Sequence, residues 1–242
     1  MITRCSKYNL YFWLLLNSIA FHSISFAQQD RFESGLAAKD RGHYATALRA
    51  WLPIAESGNS QAQNNVGYMY EEGLGVPQNY LLAMNWYRQA ADNELAQAQH
   101  NMGMLYHHGY GVAQNLGEAF RWFKMAAEQE LAESEYMLGL AYEKGEGTTL
   151  NYAEARRLFL SSARKNYTPA QMMYAFMLQA GEGGDSQPFS AYVWGKIAET
   201  NGSESAIDIT TISGIQLEDS DIVEAEEIIA QCLTASLSLC PE

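Results

Sequence analysis

Between Ala62 and Glu199 the apolar, small and polar positions of this chain recur with a period of thirty-six residues. Gly67, Gly103, Gly139 and Ala175 fall in one column. Gly73, Gly109, Gly145 and Gly181 fall in a second, each followed two residues on by Gly75, Gly111, Gly147 and Gly183. Further columns hold Ala83, Ala119, Ala155 and Ala191, and Trp86, Trp122, Leu158 and Trp194. A period in this range marks stacked units, none of which buries its apolar face alone.

The second copy shows what one unit is. From Ala96 to Tyr106, Ala98, Met102, Leu105 and Tyr106 recur at helical spacing, which predicts a first helix with one buried stripe. Gly109 and Gly111 end it, because glycine reaches the left-handed conformation that a helix terminus and a sharp return both need. Asn115 is placed to cap a second helix, Gly117 to Glu128, as Asn79 and Asn151 are in their copies. Small residues at 103, 119 and 126 permit close approach of the two helices, and Trp122 is expected to fill the wedge between neighbouring pairs. The unit is an antiparallel helix pair.

The run AQNNVGYMYEEGLGVPQNYLLAMNWYRQAA, repeated as AQHNMGMLYHHGYGVAQNLGEAFRWFKMAA, resembles the Sel-one-like repeat, a thirty-six-residue relative of the tetratricopeptide repeat. Copies one and two carry the pattern fully. Copy three departs at Leu158 and Ser162, and copy four at Met173 and Ala175. The resemblance implies an all-α fold, a right-handed α-solenoid of antiparallel helix pairs that binds other proteins. It implies no particular partner.

Outside the repeats the chain reads as caps and a leader. Arg4 and Lys7 precede an apolar run from Leu10 to Phe21, and Ser25-Phe26-Ala27 offers the small residues a signal peptidase reads. Residues 1–27 are therefore expected to be a cleaved signal peptide, since the run is short for a membrane span. Residues 28–58 read as an amino-terminal capping helix pair without the long glycine loop, and 59–202 as four repeats. In 203–242, Ser203 to Ile215 reads as a weaker helix. Asp219 or Ser220 then caps a last helix to about Leu233, with Ile222, Ala225, Ile228, Ile229 and Cys232 on one face. Its other face carries Glu218, Asp221, Glu224, Glu226 and Glu227, either an acidic docking surface or the polar outside that a terminal cap requires.

Loss of the leader leaves thirteen basic against twenty-eight acidic side chains, a surface that repels phosphate backbones and anionic lipid heads. Nucleic acid and membrane-surface partners are not expected on that ground. No membrane insertion is expected after cleavage, and a monomer is expected. Cys232 and Cys240 alone survive cleavage, an even count in an oxidising compartment; they form a disulfide, or Cys232 is a small buried thiol on the apolar stripe.

Candidate chemistry is sparse. Ser162-Ala163-Arg164-Lys165 fits a serine-x-x-lysine pattern, and cysteine-rich members of the resembled family are described as β-lactamases. The companion motifs and the paired cysteines are absent, and Ser162 stands in a helix-packing column. An enzyme acting on β-lactams or peptidoglycan is the alternative reading; no cofactor and no catalytic residue is expected. His100, His107 and His108 lack the i, i+4 spacing that zinc sites exploit, so no metal site is expected and they read as exposed groove histidines. By resemblance to tetratricopeptide stacks, the first helix of each pair lines a concave groove. The groove positions are Asn64, Tyr68, Glu71 and Glu72; His100, Met104, His107 and His108; Tyr136, Leu140, Glu143 and Lys144; and Met172, Phe176 and Gln179. The alternative is that some of these contact the next repeat's helix instead. The expected protein is a non-enzymatic adaptor, periplasmic or secreted, that holds an envelope protein or peptide in this groove.

Overall fold

The computed structural model describes residues 28–242, which contain α-helices and one short 3-10 turn and no strand. The expected leader and its cleavage point lie outside the described residues. The described chain falls into two compact units, 28–95 and 96–242. Stacked repeats touch mainly their neighbours, so buried contacts do not gather about one centre.

The first unit contains α1 (28–40), α2 (Tyr44–Glu56), α3 (Ser60–Glu72) and α4 (Tyr80–Asp92). The α1–α2 pair is closed by a short turn where the repeats have a long glycine loop. Trp51, Ile54, Val66 and Met69 are fully buried between these helices, and the Trp51 indole donates to the Phe32 carbonyl at 3.1 Å.

The second unit contains α5 (Ala96–His108), α6 (Leu116–Ala127), α7 (Ala132–Lys144), α8 (Tyr152–Arg164), α9 (Thr168–Ala180), α10 (Pro188–Thr200), α11 (Ala206–Gly214) and α12 (Asp219–Thr234), then a 3-10 turn, Leu237–Leu239. Helices α5 with α6, α7 with α8, and α9 with α10 form the antiparallel pairs, and α11 and α12 both pack on α10.

The repeat columns translate into geometry. Asn79, Asn115 and Asn151 cap the second helices, accepting from Leu82 N, Glu118 N and Glu154 N at 3.0, 3.1 and 3.1 Å. At the end of α7, Gly145 takes the left-handed cap at φ 70°. Gly147, at φ 72°, seats the loop on the start of α6, where a Cβ would lie 2.2 Å from the Leu116 carbonyl oxygen. The second glycine of the loop thus serves packing against the preceding helix pair as well as the turn itself at Gly75, Gly147 and Gly183.

Within a pair, the residue that closes on the glycine column is not the tryptophan but its neighbour. Tyr87 lies over Gly67, Phe123 over Gly103 and Phe159 over Gly139. Trp122, Leu158 and Trp194 are buried as expected, whereas Trp86 is half-buried. In the fourth copy the glycine column holds Ala175 and the ring column holds Gly195. There the missing side chain admits α11, since a Cβ on Gly195 would lie 2.5 Å from Thr210 Cγ2.

The carboxy-terminal region departs from expectation in one detail. The cap of α12 is Glu218, in a reciprocal box with Asp221, and not Asp219 or Ser220. Ala225, Ile229 and Cys232 are buried, with Ile222 and Ile228 packed against the same cluster. The tail then returns across the unit: the Trp194 indole donates to the Pro241 carbonyl at 2.7 Å, and Arg164 pairs with Glu242 at 2.8 Å.

Candidate interaction surface

The first helices of the pairs are only partly amphipathic in the ordinary sense. One edge of each carries large side chains that the fold leaves uncovered or half-covered. In the first unit Tyr68 is 44% exposed, with Glu72 exposed and Asn64 and Glu71 half-buried. In the second unit Phe176 is 37% exposed, and Met104, Leu140, Tyr136 and Met172 are half-buried; Lys144 and His108 are exposed, and Glu143 and Gln179 half-buried. None of the expected groove positions lies in the core.

Several of them also make internal contacts: Tyr136, Leu140 and Met172 pack against the core cluster of the second unit, with the Tyr136 ring 5.7 Å from that of Phe159. Glu71 accepts from the buried Tyr87 hydroxyl, whose pKa burial and then Glu71 push upward. His100, expected as an exposed groove histidine, is half-buried: its Nδ1 lies 2.9 Å from Ser134 Oγ, and its ring lies 5.5 Å from Phe123. Burial lowers its pKa against the opposing charge of Glu133. His107 sits edge-on to His108 at 4.9 Å and near Phe123, and burial followed by the His108 and Lys144 charges lowers its pKa, with Glu146 opposing. The physical reason is the ring of Phe123, which covers Gly103 and against which His100 and His107 pack.

Acidic groups gather beside this edge. Glu143 has its pKa raised by burial, with Glu182 and Glu146 adding to the rise and Lys144 opposing it. Tyr136 is raised by burial, then by Tyr167 and Glu143. Among the described residues no cluster of His, Cys, Asp or Glu is placed to hold a metal, and no helix is long and apolar enough to cross a membrane.

The serine-x-x-lysine pattern has a structural use. Ser162 is 0% exposed and its hydroxyl donates to the Ala132 carbonyl at 2.8 Å. Lys165 Nζ is held by Glu135 at 2.8 Å and by the Glu130 carbonyl at 2.8 Å. Glu135 belongs to a buried polar column absent from the sequence reading, with Gln63, Gln99 and Gln171 at the same spacing. Gln63 and Gln171 tie a first helix to the end of the helix or the turn before it, whereas Gln99 and Glu135 bond to the turn that closes their own pair. Gln63 donates to the Ala55 carbonyl, Gln99 accepts from Gln129, and Gln171 donates to Asn166 and accepts from Asn201. Cys232 and Cys240 are both buried with Cα atoms 5.6 Å apart, inside the span a disulfide bridges.

The Sel1 repeat model matches residues 60–95, 96–131, 132–167 and 168–203. Among solved structures, the chain is similar to a Sel1 repeat protein from Oxalobacter formigenes, with 28% identity and a TM-score of 0.70 over 83% of this chain and 84% of that one. It is also similar to c5321, a protective antigen of uropathogenic Escherichia coli displaying an SLR fold. That match has 26% identity and a TM-score of 0.70 over 90% of this chain, and spans 52% of the other. No curated protein matches the sequence significantly. With four copies covering more than half of its 242 residues, and with helix pairs stacked as in those structures, the chain belongs to the Sel1 repeat family.

Proposed function

We propose that this chain is an interaction scaffold with no chemistry of its own, exported to the periplasm or beyond, which receives an envelope protein or peptide on the uncovered edge of its first helices. The observation that carries the reading is the row one residue after the glycine column: Tyr68 in the first unit, then Met104, Leu140 and Phe176 in the second. All four are large and apolar or aromatic, and none is buried. Side chains of this kind left exposed or half-exposed at a fixed repeat give apolar anchor points for a peptide, and methionine adapts to varied partners. The burial of Ser162 and the pairing of Lys165 with Glu135 support a structural use of the only candidate catalytic motif.

Affinity capture from the envelope with the wild-type chain and with Met104→Ala/Phe176→Ala tests the row. The reading predicts a partner held by the first and lost by the second; equal recovery places binding elsewhere. Export is tested by the amino-terminal sequence of the mature protein, expected at Gln28. A Cys232–Cys240 disulfide is part of the same proposal, closing a short loop and contributing about 2–3 kcal/mol. Alkylation of the native, unreduced protein should modify neither thiol; two modified thiols would remove the bond from the proposal.

A further inference from the structure

Position 141 breaks a core column. Met69, Leu105 and Met177 occupy it in the first, second and fourth copies, each 0% exposed, and the third copy has Ala141. Where the longer side chain is missing, the second unit holds a cavity of about 190 Å³ between the end of α5, α6 and α7. Phe120, Phe123, Met137 and Leu140 line it beside Ala141, with the exposed Lys144 among its polar lining groups.

The walls are preformed. Phe120 is fixed edge-on to Tyr142 at 5.4 Å, and Phe123 is fixed against Gly103. An enclosed cavity of roughly 150 Å³ holds a benzene ring, so this volume has room for one six-membered ring and the methylene that carries it, with His107, Gln114 and Glu146 lining it beside Lys144. The chemistry selects a ring over an aliphatic chain. Two aromatic rings offer edge-to-face contact, Met137 a thioether, and Lys144 an ammonium that makes no ion pair with any described residue.

We infer that this cavity is an anchor pocket for a single aromatic side chain of a partner peptide. Leu140 and Lys144 belong both to the pocket and to the uncovered edge of α7, so a peptide on that edge reaches the cavity directly. The inference rests on the interaction reading only for the source of the ring, and the pocket itself is testable without a partner.

The probe is N-acetyl-phenylalaninamide titrated into the full mature chain labelled at its methionine methyls, with the Met137 signal as readout. N-acetyl-cyclohexylalaninamide and N-acetyl-alaninamide serve as controls. The expected result is a saturable Met137 shift with phenylalaninamide, at least tenfold weaker affinity with the cyclohexyl compound, and no response to alaninamide. Ala141→Met, which restores the residue carried by the first and fourth copies, should weaken phenylalaninamide at least tenfold while leaving the helical spectrum and melting temperature unchanged or raised. Ala141→Leu, the second copy's choice, provides the same test should the methionine variant misfold. A shift that does not saturate, that matches for the two ring types, or that persists in the filled variants overturns the proposal. Failure of the partner-capture test with an intact Met137 response would sink the scaffold reading alone.

Discussion

Gly103 lies directly beneath Phe123, so close that a Cβ on the glycine would stand 2.5 Å from the ring. Phe123 is itself buried, with its ring 5.5 Å from that of His100 and 6.4 Å from that of His107, so withdrawing it disturbs both packings. Gly103→Ala is therefore expected to cost about 1–3 kcal/mol by overpacking. Combining it with Phe123→Leu should cost less than the sum of the two single changes, because the smaller side chain vacates the contested space. Denaturant melts of the four species measure this coupling, and strict additivity would contradict the assigned contact.

A different column predicts a gain. Gly58, Glu94, Glu130, Asn166 and Gly202 all have positive φ where second helices end, and three of them are not glycine. An L-residue in that region costs roughly 1–2 kcal/mol, offset in part by the extra chain entropy of glycine. Glu130→Gly should stabilise by about 0.5–1 kcal/mol, read as a higher denaturant midpoint. It leaves the Glu130 carbonyl free to accept from Lys165 as before.

The third repeat replaces a buried glutamine by Glu135 and supplies Lys165 to match it. Removing the lysine alone strands a buried carboxylate, so Lys165→Met should cost toward the low end of about 3–5 kcal/mol, since Lys165 is partly exposed. Glu135→Gln restores the residue of the other three copies and should change stability by less than about 1 kcal/mol. A Lys165→Met protein as stable as wild type would show that the pair is incidental.

Histidine titration sets a pH dependence. His100 and His107 have folded pKa values below the ordinary 6.5 because burial disfavours their charged forms. The unfolded chain then binds more protons in that window, so the stability they contribute is complete above about pH 6.5 and is lost as pH falls through the folded values. Denaturant midpoints measured from pH 7.5 to pH 5 should fall, and His100→Gln should flatten part of the slope. An identical slope in that variant would exclude His100 as a source.

The repeat was legible because glycine and tryptophan have few substitutes in a turn or a wedge, and the three asparagine caps followed from the same register. The buried Gln63 column escaped notice because glutamine ordinarily reads as surface, and only its carbonyl partner on the preceding turn shows otherwise. Tyr87 and Phe123 were overshadowed by the tryptophans beside them, and Phe159 by Leu158 in the same column, although both members of such a pair fall on the inward side of a helix. His100 looked exposed from spacing alone, since nothing in the sequence fixes the ring position of Phe123. The docking of α12 on α10 has no periodic signal, so only its apolar face was readable. The cavity at Ala141 was readable in principle, as a small residue in a column of large ones, once the column was known to be core.

The most direct measurement is photo-crosslinking in the cells that make the protein, with a photoreactive phenylalanine analogue placed at Phe176 on α9 or at Arg157 on α8. Both positions are exposed, but only the first lies on the uncovered edge of a first helix. The account predicts a discrete crosslinked species from position 176 and none from 157. The same species from both positions, or from 157 alone, would contradict it.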